Sequence, residues 1–172
     1  DVRMVMQTVY LYDQIVITKT KQPGVKAETN LFYLPVDENN LACRAAKMLI
    51  DEFNITEGVH ISMDKKIPVS AGMAGGSADA AAVLFGVNKM FGLGLSMTEL
   101  EERGVKLGAD VPYCLMRGTV LAEGIGEKLT PLLACPKCLC CWQNHRSVYR
   151  RRWSMKNWMH WKLQNTRISM VF

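Results

Sequence analysis

No stretch of eighteen or more apolar residues occurs in the sequence, which excludes a transmembrane helix. Position 1 is Asp rather than Met. The opening Asp1-Val2-Arg3-Met4-Val5-Met6-Gln7 also lacks the basic stretch and apolar block of a signal peptide. The reading frame is therefore expected to begin inside a longer protein. No Gly-Lys-Ser/Thr occurs after a glycine-rich loop, and G-x-G-x-x-G is absent, so neither a Walker A loop nor a dinucleotide fingerprint is present. Residues 135–172 contain no Asp, Glu or Gly.

That last absence divides the chain. The net charge of +5 is misleading as a whole, because eight basic residues fall in 135–172. Thirteen basic residues then face sixteen acidic ones over 1–134, a net charge of −3. Residues 1–134 read as one mildly acidic, soluble domain, and with 49% hydrophobic and 22% charged residues the composition is globular rather than disordered. The tail holds all four Trp and four of the six Cys, with neither helical nor strand periodicity. Three readings of it stand. It is a basic and aromatic appendage for nucleic acid or membrane. It is a zinc module on Cys135, Cys138, Cys140, Cys141, His145 and His160, for which one C-x-x-C is thin support. Or it is the product of a shifted reading frame, the reading favoured by the abrupt change in composition. Cys43 and Cys114 sit singly in apolar surroundings and are expected to be reduced, buried thiols in a cytoplasmic protein.

Periodicity places the elements. β-rich stretches over 5–11 and 14–20 read as strands broken near Tyr12-Asp13, and Gln22-Pro23-Gly24 as a turn. Asn39-Asn40 precedes Leu41, Ala45, Met48 and Leu49 on one helical face. Residues 59–65 alternate as a half-buried strand, on which His60 is an ordinary strand residue. Ser96 and Glu99 form a capping box, S-x-x-E. Residues 108–112 read as a turn and 119–123 as a further strand.

Between these lies Pro68-Val69-Ser70-Ala71-Gly72-Met73-Ala74-Gly75-Gly76-Ser77-Ala78-Asp79-Ala80-Ala81, a glycine-rich loop opening an Ala-rich helix. The first amides of a helix lack partners within it and sit at the positive end of its dipole. Small residues let a phosphate reach them. Ser77 sets a hydroxyl at the helix start, able to meet a phosphate oxygen or a magnesium ion. A glycine-rich turn without a ligand is the plain alternative for the glycines alone.

The whole string resembles the signature P-x-x-x-G-L-x-G-G-S-S/A-D/N-A-A of the GHMP kinases, with Met73 where Leu is usual. Four further blocks resemble one branch of that family, which acts on 4-diphosphocytidyl-2-C-methyl-D-erythritol. They are Met6-Gln7-Thr8-Val9-Tyr10-Leu11-Tyr12-Asp13, Asn40-Leu41 followed by Arg44-Ala45-Ala46, Leu107-Gly108-Ala109-Asp110-Val111-Pro112, and Ala122-Glu123-Gly124-Ile125-Gly126-Glu127. The resemblance implies an α+β fold: the N-terminal GHMP domain, a twisted sheet with helices packed mainly on one face. It implies ATP and Mg2+ as co-substrate and metal, and phosphorylation of the substrate's 2-hydroxyl. Pro68, Val69, Ser70, Ala71, Gly72, Met73, Ala74, Gly75, Gly76, Ser77 and Ala78 would wrap the ATP phosphates, with Ser77 near the metal. Asn40 would lie toward the adenine end. Asp110 would be the catalytic base, whereas Asp79 would cap or pair near the helix start. The family's K-x-N-x-x-L strand, its G-Y-H segment and its late G-S-G-x-x-x-F segment have no counterpart here, so the chain as it stands is expected to have little activity. The rival readings are a homoserine or mevalonate type of kinase from the same family, and a non-enzymatic basic protein acting through the tail. Neither nucleic acid nor membrane is expected as a partner of the kinase.

Overall fold

The computed structural model describes residues 1–136. Readings that concern the tail from Lys137 onward lie outside the described residues. Six strands and four helices follow in the order β1 (Val2–Gln7), β2 (Gln14–Thr20), β3 (Val25–Thr29), α1 (Leu41–Glu52), β4 (Gly58–Asp64), α2 (Gly75–Phe91), α3 (Met97–Leu107), α4 (Val111–Met116), β5 (Thr119–Gly124) and β6 (Lys128–Pro131). The α+β expectation holds.

The single expected sheet is resolved into two three-stranded sheets, ordered β1-β5-β6 and β2-β4-β3. β1 runs antiparallel to β5 from Val2↔Gly124 to Gln7↔Thr119. β4 is central in the other sheet, antiparallel to β2 and parallel to β3. A parallel pair needs a crossover, and α1 supplies it. On β4 the alternation is complete: Val59, Ile61 and Met63 are buried, while His60 and Ser62 are half-buried on the other face. His60 there approaches Glu28 at 4.0 Å, as an ordinary strand residue.

The expected strand over 5–11 is corrected. β1 ends at Gln7, and after one more bond from the Thr8 amide to the Gly118 carbonyl the chain leaves the sheet. The reason is a second, smaller apolar cluster. Val9 and Leu11 pack against buried Ile67 and Met73, so these β-favouring side chains serve the underside of the glycine-rich loop. Tyr10, between them, is fully exposed.

The main core lies where α1 and α2 meet. Ala42, Ala45, Ala46 and Leu49 face Ala80, Ala81, Val83, Leu84 and Val87, and small residues let the two helices approach. Asn40 caps α1 as expected, accepting from the Ala42 amide at 2.9 Å. The Ser96–Glu99 capping box of α3 is formed in both directions. Buried Asn88 fixes the α2–α3 connection through two bonds to the main chain of Leu95, at 2.9 and 3.0 Å. The expected turn over 108–112 is shorter, because Pro112 is compatible with a first helical turn and α4 begins at Val111. Cys43 and Cys114 are buried and neither is in a disulfide. Among the described residues no helix is long and apolar enough to cross a membrane.

One glycine fixes the sheet geometry. A Cβ on Gly58 would lie 2.1 Å from the Gln22 carbonyl oxygen and 2.6 Å from that of Gly24. Backbone cannot yield as a flexible side chain can. Gly58→Ala is expected to destabilise by about 2 kcal/mol, read as a lower denaturant midpoint at unchanged m-value; an unchanged midpoint would contradict this.

A glycine-rich loop stapled at its base

Strand β4 ends at Asp64 and α2 begins at Gly75, with the loop between them. Its backbone is unusual. Ser70, Gly72 and Ala74 have φ of 58°, 73° and 50°. Left-handed conformations are uncommon outside glycine, so Ser70 and Ala74 are strained. Left-handed Ala74 passes directly into helical Gly75, the kind of alternation that turns successive amides toward one point. Ala74 offers no side-chain cap. The first bond of the helix runs from the Ala78 amide to the Ala74 carbonyl at 2.9 Å, which leaves the amides of Gly75, Gly76 and Ser77 ahead of the helical ladder. Gly72 and Gly76 are exposed, whereas Gly75 packs inward: a Cβ there would meet Ile67 at 3.0 Å.

The Asp110 turn lies against this helix start. A Cβ on Gly108 would stand 4.0 Å from the Ser77 hydroxyl. Asp110 is half-buried at the N-terminal boundary of α4, and its side chain does not cap that helix. The nearby Cys114 thiol is pushed up to about 12 by burial and by the carboxylates of Asp110 and Asp79. The structure thus gathers the loop, Ser77 and the Asp110 turn on one side of α2. Asn40 is set at the start of α1. Its amide nitrogen donates to the Pro35 carbonyl at 2.8 Å, and the neighbouring Leu41 side chain approaches Gly76.

Beneath the loop is a cluster that the sequence reading did not foresee. The Lys65 ammonium donates to both Asp13 and Asp79, and all three side chains are at most 6% exposed. Asp13 also accepts from the Lys66 and Ile67 amides at 2.5 and 2.8 Å. The two carboxyls are driven apart. Burial pushes Asp13 up, but its bonds to Lys65, Ile67 and Lys66 outweigh this and leave it below the usual value. Burial dominates at Asp79 despite Lys65, and raises it to about 6. The expectation that Asp79 pairs near the helix start is met, with Lys65 as the partner. The residue periodicity gave no sign of this, because Lys65 reads only as the end of a strand.

Residues 40–118 match the family model described as the GHMP kinases N terminal domain. The chain belongs to the GHMP kinases. A 4-diphosphocytidyl-2-C-methyl-D-erythritol kinase of Lachnoclostridium phytofermentans is 56% identical over 140 residues, covering 81% of this chain and 48% of the relative. The protein of that name in Lachnospira eligens is 54% identical over 138 residues, covering 80% and 48%. This GHMP chain spans about half the length of the curated relatives it matches. Among solved structures, one described as 4-(cytidine 5'-diphospho)-2C-methyl-D-erythritol kinase superposes with a TM-score of 0.59 at 34% identity, covering 70% of this chain and 41% of that one.

Proposed function

We propose that the chain is the ATP-binding part of a cytoplasmic kinase that phosphorylates the 2-hydroxyl of 4-diphosphocytidyl-2-C-methyl-D-erythritol. The observation that carries this reading is the loop itself. Left-handed Ala74 runs into the open start of α2, exposed Gly76 gives access, and the Asp110 turn lies beside Ser77. That arrangement suits a polyphosphate, whose charge is met by helix-start amides. Residues 68–78 hold the phosphates, and Asn40 fixes the start of α1 beside them. The names of the relatives support the choice of substrate.

In the reaction the acceptor hydroxyl oxygen bonds to the γ-phosphorus, the bond to the bridging oxygen breaks, and ADP leaves. Asp110 orients the hydroxyl and takes its proton. Mg2+, held in part by Ser77, would offset charge on the phosphates.

Calorimetric titration of MgATP into the chain tests the loop. Gly76 has room for a side chain, the nearest atom to a Cβ being Leu41 Cδ1 at 3.7 Å. Gly76→Asp would therefore place a carboxylate in the phosphate approach without disturbing packing. Affinity is expected to fall at least about tenfold, by charge repulsion, with the melting temperature nearly unchanged. Equal affinity in the variant would remove the loop from nucleotide binding.

A further inference from the structure

Lys65 joins the two ends of the loop. The register of β2 on β4 pairs Gln14 with Asp64, which brings Asp13 across from Lys65. Asp13 then holds the entry of the loop through the Lys66 and Ile67 amides. Lys65 reaches from Asp13 to Asp79, which belongs to α2 on the far side of the loop. The ammonium sits directly under the turn, 3.6 Å from where a Cβ on Gly75 would stand. Sheet, loop entry and helix are thereby tied through one buried group.

A buried charge cluster is a weak source of stability, since desolvation offsets much of the attraction. What it provides here is direction. Ser70 and Ala74 hold left-handed conformations, and strain of that kind persists only where the surroundings fix the backbone. The apolar contacts beneath the loop, Ile67 and Met73 with Val9 and Leu11, have no directional bonds. The Asp13–Lys65–Asp79 bonds do.

We propose that Lys65, held between Asp13 and Asp79, is a positioning residue that closes the base of the loop and keeps its amides aimed at a bound polyphosphate. The polyphosphate part of this rests on the proposed function; the closing of the loop does not.

Two measurements on the full chain separate these parts. The variants are Lys65→Met and Lys65→Met with Asp79→Asn, the second leaving one buried carboxylate instead of two should the first fail to fold. Hydrogen exchange without nucleotide reads the staple. In a folded variant, amides over 66–82 are expected to exchange through a local opening, at least about tenfold faster than in wild type and at least about tenfold faster than the slowest amides of α1, which report the global stability. Unchanged exchange over 66–82 overturns the staple. The ratio of ATP to adenosine affinity reads the positioning. It is expected to fall at least about tenfold in the variant, with adenosine affinity within about twofold of wild type. Faster exchange with an unaltered ratio overturns the positioning role. If the wild-type chain does not prefer ATP to adenosine, the phosphate reading and the positioning role fall together, and the exchange rates still decide the staple.

Discussion

Replacing Asp110 by Asn is expected to lower phosphoryl transfer by about 100-fold or more, the usual range for a lost general base, while MgATP affinity stays within about twofold. The argument starts from the turn. Gly108 brings the segment against Ser77, and Asp110 follows at the boundary of α4. Its side chain makes no capping bond to α4. Asn keeps the shape and one acceptor oxygen but cannot take a proton at neutral pH. The nearby Cys114 thiol, raised in part by Asp110, stays neutral in either protein, so nothing buried becomes charged. Binding and stability should therefore survive while turnover falls, which is the signature of a contact used only in the transition state. Steady-state ADP release with 4-diphosphocytidyl-2-C-methyl-D-erythritol, in a full-length kinase carrying this segment, makes the measurement. Turnover equal to that of the unsubstituted protein would remove Asp110 from the chemistry.

The features legible in the sequence were those written in local signals. Asn40 before an apolar stripe, Ser96 three residues before Glu99, and glycines before an Ala-rich run each specify a cap or a helix start without reference to the rest of the chain. The features that escaped depend on tertiary pairing. Lys65 and Asp13 stand 52 residues apart, and nothing in either neighbourhood reveals that the β2–β4 register sets them opposite one another. Val9 and Leu11 carry strand propensity, yet the cluster beneath the loop claims them. The division into two sheets has the same origin, since strand order is decided by which edges pair. One signal could have drawn attention to the cluster: Asp79, an acidic residue followed by Ala80 and Ala81 in an apolar helix, needs a buried partner.

That buried partner should make Lys65→Met the most destabilising substitution considered for this chain, costing about 3–5 kcal/mol at neutral pH. Single domains are stable by only about 5–15 kcal/mol, so the loss is a large share of the total. The cause is not a missing methylene, because Met fills similar space. It is that two carboxyls, at most 6% exposed, lose the ammonium between them. The deficit should depend on pH, with a sign that follows from Asp79. Its folded value of about 6 lies above the ordinary 3.8. Between those values the folded chain holds a proton that the unfolded chain releases. The stability this proton contributes is complete below 3.8 and is lost as pH rises through about 6. Asp13 behaves oppositely, since its value lies below the ordinary one, and its contribution is lost only on further acidification. Without Lys65 both carboxyls favour the neutral form more strongly, so protonation relieves the variant more than wild type. Urea unfolding is expected to show a smaller deficit near pH 5 than near pH 7.5. Asp79→Asn provides the internal check: relative to wild type it should gain stability as pH rises through about 6, because it removes the carboxyl that must ionise there. A Lys65→Met deficit of equal size at both pH values would show that the carboxyls are not the source of the loss.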